Sequence, residues 1–394
     1  PDSTAISGQW TVDNSPYIIE GRAIVPAGET LSINPGVVVK FKSSASPTPS
    51  WFDYEAGNVG VLRVKGEIIA NGTVNDPIVF TRNNTGFWGT ILIDEGSSEN
   101  SSISHCIIEY AKESRYVTGI TAPPTFDGGV SIFKSNIVIT NNEIKNNNLN
   151  GIYLREVNNP MKVLNNTIHH NGANGLIAEL SGVIIINNRF YENSVTSSGS
   201  VSAVRSSNST SHITGNLFHD NDDFGIYTTD GGNHYIINNT VYNNSQGIRV
   251  ESGANTFIYN TIIQNNSINF ATGNPGGANI EMRHSLTDDS SLPQNIENIG
   301  GNLLSSDALF ANTIDFSLQE NSPCIDAGYP DTAGLHLPDA DILGNPRIDN
   351  NIVDIGTTEF QHPIVNYTVT TAANPEEGGF TTGGGTYSSG STVT

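Results

Sequence analysis

The sequence predicts an all-β fold, a right-handed parallel β-helix (solenoid), and three observations carry that expectation. Apolar-flanked pairs recur through the middle third: Asn141-Asn142, Asn165-Asn166, Asn187-Asn188, Gly215-Asn216, Asn238-Asn239 and Tyr259-Asn260, at separations of 24, 22, 28, 23 and 21 residues. Two positions after each pair stands a large apolar residue (Ile144, Ile168, Phe190, Phe218, Val241, Ile262), and five positions after it an asparagine (Asn147, Asn171, Asn193, Asn221, Asn244, Asn265). A short strand opened by glycine then follows, as in Gly151-Ile152-Tyr153-Leu154 and Gly247-Ile248-Arg249-Val250. Strands of successive coils lie about 4.8 Å apart, so equivalent residues form columns. Buried amides in such a column hydrogen-bond to one another, and apolar columns fill the core.

The elements follow in chain order. Residues 1–27 are expected to cap the first rung, with Gln9 to Glu20, including Trp10 and Tyr17, covering an otherwise exposed strand edge. Residues 28–362 are expected to form the solenoid and its closing region. Gly28 to Val39 reads as strand, turn, strand, and Leu62–Gly66, Pro77–Thr81 and Trp88–Ile93 continue the style. Ile103 to Ala111 fits the repeat with Cys106 at the buried ladder position. In the 28-residue coil, Ser200-Val201-Ser202-Ala203 is expected to replace the glycine strand. Glycine is expected there for the backbone freedom a corner needs. Two insertions interrupt the coils. Ser43 to Val59 carries Trp51, Phe52 and Tyr54; Lys112 to Asp127 carries Arg115, Tyr116, Pro123 and Pro124, and should overhang the glycine strands.

Composition narrows the function classes. Charged residues are only 14% of the 394, which argues against a charge-rich disordered chain. A net charge of -22 argues against nucleic acid and anionic membrane surfaces as partners, and leaves cations such as Ca²⁺ open. No apolar run reaches the roughly 18 residues that a membrane-spanning helix needs. Pro1-Asp2-Ser3 has no basic or apolar leader, so an export signal is expected to have been removed already. Cys106 and Cys324 show no metal or redox spacing and read as buried thiols.

Ser322 to Gly328, Asp341 to Arg347 and Val353 to Phe360, with Trp88-Gly89-Thr90-Ile91 and Ile108-Glu109-Tyr110-Ala111, resemble bacterial secreted and surface β-helix repeat proteins of pectate-lyase-like architecture. The resemblance covers roughly residues 10 to 362 and implies an exported, extracellular protein with a shared closing region. Residues 363–394 look like a linker and the beginning of a small β-rich repeat module, which implies a monomeric solenoid within a longer multidomain protein.

Outward files of the solenoid supply the candidate site. Lys145, His169, Tyr191, His219, Tyr242 and Ile263 are expected on successive rungs of the ladder strand, with Arg189 alongside. Ring surfaces suit stacking on sugars, Arg189 suits a uronate carboxylate, and His169, His219 and Tyr191 suit acid–base chemistry next to a uronate. The glycine strand offers Ser131, Tyr153, Ile177, Ser202, Tyr227 and Arg249, with Phe133, Arg155, Glu179, Val204, Thr229 and Glu251 in a second file. Tyr153, Tyr227, Arg249, Lys145 and Tyr242 are therefore candidate substrate contacts. Asp220, Asp222 and Asp223, with Asp230 nearby, are candidate Ca²⁺ ligands, and Asp339, Asp341, Asp349 and Asp354 a second acidic group.

Right-handed β-helices of this kind include pectate lyases, polygalacturonases and alginate-modifying enzymes, so the resemblance implies an acidic polysaccharide as partner. Neither the Asn-Thr-Asp, Gly-His-Gly and Arg-Ile-Lys set of polygalacturonases nor the Asp-Pro-His-Asp of mannuronan epimerases occurs. Two functions stay open: an exported protein that binds, and cleaves by lyase or hydrolase chemistry, an acidic polysaccharide along the His169–Tyr242 file; or a non-catalytic surface stalk or adhesin.

Overall fold

A computed structural model describes residues 3–47, 58–112, 114–115, 125–157, 160–194, 201–273, 277–363, 366–372, 378–388 and 391–392. Its core is a right-handed parallel β-helix with three strand faces per coil. The ladder face is an 11-stranded parallel sheet running from Tyr17–Ile19 to Leu286–Thr287. The glycine face and the middle face join into a 21-stranded sheet, because Ser202–Thr214 and Phe224–Ile237 pass through the corner between them unbroken. Inward columns are mainly apolar on all three faces, with Ser206, Thr228, Ser211, His234 and Thr256 as buried polar members on the glycine and middle faces. Ile144, Ile168, Phe190, Phe218 and Val241 stack in register on the ladder face, all fully buried.

The asparagines form two continuous ladders. Each Oδ1 accepts from the backbone N–H and the Nδ2 of the coil before: Asn166 Oδ1 receives Asn142 N at 2.9 Å and its Nδ2 at 3.0 Å. Each Nδ2 also donates to a middle- or ladder-face carbonyl, as Asn166 does to Ile139 at 3.1 Å. Asn147, Asn171, Asn193, Asn221, Asn244 and Asn266 repeat the scheme at the next corner. Cys106 takes the expected ladder place, its N–H donating to Asn142 Oδ1 at 2.8 Å, and burial pushes its thiol far above the usual range.

Two register expectations and the reason for glycine need correction. The sixth coil is shifted by one residue: Thr261 carries the ladder, Val241 pairs with Ile263, Tyr242 with Gln264, and Asn266 replaces Asn265. In the 28-residue coil the glycine-face strand is shifted by three. Leu176 pairs with Val204, so Arg205 and Ser207 occupy the outward files expected for Ser202 and Val204. Glycine opens these strands for space and not for φ. A Cβ on Gly175 would lie 2.7 Å from the Ala203 carbonyl oxygen and 2.8 Å from the Phe190 ring. Left-handed backbone is needed one corner earlier, and asparagine supplies it at Asn141, Asn165, Asn187, Asn238 and Asn260 (φ between 50° and 56°).

The ends also differ from expectation. Ser3–Ala5, Gly8–Trp10 and Tyr17–Ile19 pair with strands of the second coil, so residues 1–27 contain the first coil instead of a separate cap. Trp10 and Tyr17 stack at 4.4 Å within it. After Gly300 the chain leaves the repeat and folds back along the corner between middle and ladder faces. Ala327 meets His284, Tyr329 meets Asn260, Asp354 meets Asn238, Thr357 meets Gly215, and Ala340 meets Asn187. The fully buried Arg347 guanidinium donates to the Thr357, Asp354 and Gly356 carbonyls and locks this closing segment. Asp341 and Asp354 accept backbone N–H groups of the same segment, and Asp349 accepts from His362. Asn366–Val369 and Gly385–Ser388 form a separate antiparallel pair.

Candidate functional site

The ladder file exists as expected from Lys145 through His169, Tyr191 and His219 to Tyr242. Its rings, however, stack on one another: His169 on Tyr191 at 4.5 Å and 12°, Tyr191 on His219 at 5.1 Å and 17°. A rung spacing near the ring-stacking distance turns the faces inward along the file, leaving edges to solvent. No ring face between His169 and His219 is free for a sugar. The lower half also lies under the closing segment, with Phe316 against His219 at 5.4 Å and against Tyr242 at 5.2 Å. Arg189 is half-buried beside that segment, its Nη2 donating to the Ile342 carbonyl at 3.5 Å. It is thus turned away from an incoming uronate.

At the open upper end, His169 Nε2 lies 3.2 Å from Glu143, which also pairs with Lys145 at 2.8 Å. Burial depresses the His169 pKa against the pull of Glu143. Burial would raise the Glu143 carboxyl, but Lys145 and His169 outweigh it and hold the group below its usual range.

The acidic turn does not converge. Asp220 is engaged by His219 Nδ1 at 2.7 Å and by Asn243. Asp223 faces the opposite side and accepts from the Val201 N–H and from Gln246, both at 3.3 Å. Asp222 is exposed between them. Among the described residues, no three His, Cys, Asp or Glu side chains gather closely enough to hold a metal ion.

The outer surface of the glycine face is where functional side chains come together. Its upper part is apolar: Val61, Leu92, Phe126, Phe133, Tyr153 and Ile177 form a buried cluster outside the main core. Phe126 belongs to the second insertion, whose described stem pairs Ser114–Arg115 with Thr125–Phe126 and overhangs this face as expected. Tyr116, Pro123 and Pro124, like Trp51, Phe52 and Tyr54 of the first insertion, lie outside the described residues. Tyr153 is buried in that cluster, and its hydroxyl donates to Glu179 at 2.8 Å beside Arg155 at 2.9 Å.

Below it, Arg205, Tyr227 and Arg249 stand in register on three consecutive coils. The two guanidinium carbons lie 5.4 Å and 5.2 Å from the Tyr227 ring centroid, bracketing it from both sides. Arg249 also covers Phe224 at 4.8 Å. Glu251 accepts the Tyr227 hydroxyl at 2.6 Å and pairs with Arg249. Burial and the neighbouring Glu251 raise the Tyr227 pKa. Glu251 itself sits below the usual carboxylate range, because Tyr227 and the arginines outweigh its burial. The Nε–H groups of Arg205 and Arg249 are both inaccessible to water and lack a hydrogen-bond partner. Arg205 forms no ion pair with a described carboxylate. Arg205 escaped the sequence reading through the three-residue shift, although its spacing of 22 residues to Tyr227, repeated to Arg249, was available.

A family model described as a right handed beta helix region matches residues 62–200 and 150–314. Among solved structures, pectate lyase Pel9A is 15% identical with a TM-score of 0.56, over 85% of this chain and 88% of that one. A mutant of the periplasmic alginate epimerase AlgG is 13% identical with a TM-score of 0.48, over 77% and 85%. The A-module of the Azotobacter vinelandii mannuronan C-5 epimerase AlgE6 is 14% identical with a TM-score of 0.38, over 70% and 85%. At such identities the likeness is one of fold. No curated protein sequence matches the chain.

Proposed function

The chain belongs to the right-handed β-helix region family, and from that premise we propose that it binds an acidic polysaccharide outside the cell, along the glycine face at Arg205, Tyr227 and Arg249. One observation carries the reading: the Arg205 and Arg249 guanidinium groups flank a single tyrosine in a chain of net charge -22, and Arg205 forms no ion pair with a described carboxylate. A guanidinium without a carboxylate partner offers paired N–H donors that an incoming uronate carboxylate can take. Arg205 and Arg249 stand two rungs apart, roughly 9.6 Å, which suits two carboxylates on one extended chain. The fold of pectate lyase Pel9A is compatible with such a ligand.

Affinity electrophoresis in gels containing polygalacturonate, alginate or a neutral galactan tests it. The acidic gels should retard the protein, and Arg205→Ala should weaken binding at least tenfold. Equal retardation by the neutral galactan, or an unchanged Arg205→Ala, would sink the proposal. The same mixtures, with and without Ca²⁺, followed for the absorbance of unsaturated uronates and for reducing ends, separate cleavage from recognition. The alternative of a non-catalytic surface stalk or adhesin draws support from the antiparallel pair Asn366–Val369 and Gly385–Ser388, which is separate from the coils.

A further inference from the structure

At the open upper end of the ladder file stand two adjacent imidazoles whose hydrogens do not add up in the neutral form. His169 Nε2 lies 3.2 Å from the Glu143 carboxylate, and His170 Nε2 lies 2.8 Å from that of Glu192. A carboxylate only accepts, so each of these ring nitrogens carries a hydrogen. A neutral imidazole has one N–H, which leaves both Nδ1 atoms as bare lone pairs. Yet the two Nδ1 atoms face each other at 2.7 Å, well within hydrogen-bond range.

A proton or a metal ion would reconcile them, and the geometry decides between the two. The ring centroids are 4.9 Å apart, close to the Nδ1 contact plus two ring radii, with the planes at 77°. The lone pairs therefore meet head to head on one line. A proton fits on that line, whereas a metal ion at about 2.0 Å from each nitrogen would hold them about 4 Å apart. Facing the pair among the described residues are Glu143 and Lys145 on the coil above, and Tyr191 and Glu192 on the coil below. Lys145 offsets Glu143 at 2.8 Å, which leaves Glu192 to balance a charge on the imidazoles.

We propose that His169 and His170 form a pH-gated clasp, closed while they hold one proton between their Nδ1 atoms and opened by its loss or by a second. Loss sets two lone pairs in opposition. A second proton puts an N–H and a positive charge on each ring, and the like charges repel. Burial holds the His169 pKa below its ordinary value against the pull of Glu143, so that second proton enters only at low pH. The clasp is thus closed over a pH window bounded on both sides. Outside it the more exposed His170 ring leaves Glu192, while His169 stays stacked on Tyr191. Opening uncovers His169 Nδ1 on the ladder face, so the availability of that nitrogen follows pH.

Long-range proton–nitrogen spectra of the full chain, with only its histidines labelled, test this from about pH 4 to about pH 9. His169 and His170 should report the same two steps, separated by at least about one pH unit, because coupled groups titrate as a pair. In His170→Asn, His169 should titrate in a single step. Asparagine keeps that turn, since it already holds the equivalent left-handed corner at Asn146 and Asn243. Glu192→Gln removes the balancing charge with both rings in place, and should lower the upper step by about half a unit or more. Independent single steps for the two rings, or a His169 curve unchanged in His170→Asn, overturn the proposal. An upper step that ignores Glu192→Gln does the same. So does a change in both Nδ1 signals when Zn²⁺ is added to metal-stripped protein, since a metal ion would then be the bridge.

Discussion

Replacing Asn193 by alanine should cost this protein about 4 kcal/mol or more, because four side-chain hydrogen bonds disappear from a site closed to water. Asn193 Oδ1 accepts the Asn171 N–H at 3.3 Å and Nδ2 at 3.0 Å, while its own Nδ2 donates to the Ile168 carbonyl at 2.9 Å and to Asn221 Oδ1 at 3.1 Å. At about 1 kcal/mol net for each bond, the loss reaches ~4 kcal/mol before any cavity is counted. Asn171, Asn193 and Asn221 are all essentially inaccessible, so water cannot replace the missing partners. Asn148→Ala, one residue beyond the ladder two coils earlier and without a side-chain hydrogen bond to the described residues, should change stability by less than about 0.5 kcal/mol. Guanidinium unfolding followed by circular dichroism compares the two variants with the wild type. An Asn193→Ala protein within about 1 kcal/mol of Asn148→Ala would refute the idea that the ladder is a stabilising element.

Two further outcomes follow from single residues. His234 is held neutral by burial, its pKa depressed from 6.5 to about 4, with Nε2 donating to the Gly231 carbonyl. A depressed imidazole contributes its full stability above pH 6.5 and loses it as pH falls towards 4, about 3 kcal/mol in all. Urea midpoints measured across that window should fall for the wild type and stay flatter for His234→Gln. Gly175→Ala places a Cβ 2.7 Å from a backbone oxygen and should cost about 1–3 kcal/mol in the same unfolding assay. A neutral result would show that the adjoining coil, where Ala203 occupies the equivalent position, can spread to admit it.

The coil, its inner columns and the ladder were legible because one side-chain chemistry repeats at one spacing. Legibility failed where chemistry was substituted or length changed. Thr261 serves the sixth rung with a hydroxyl in place of an amide, so a search for asparagine settles on Asn260, the corner residue. The long coil is six residues longer than the one before it and its glycine-face file is displaced by six, of which the expectation of Ser202 allowed for three, which hid Arg205. Ring orientation is invisible to a file of residue names, and His169, Tyr191 and His219 spend their faces on one another. Least legible was the return of the closing segment, since nothing local to Asn187 announces a partner 153 residues away at Ala340.

The closing segment also sets where this solenoid can change length. Its anchors at Asn187, Gly215, Asn238, Asn260 and His284 are spaced like a measuring rule against fixed points on residues 327–357. Adding or deleting one coil below Asn187 would move every later anchor by a rung, roughly 4.8 Å, and unseat the whole strap. A coil inserted between Cys106 and Asn166 meets no such constraint, for it need only extend two ladders that already propagate by repetition. Growth and shrinkage over evolutionary time, and grafting in the laboratory, therefore belong to the upper half of the molecule, while the lower half is held to a fixed count.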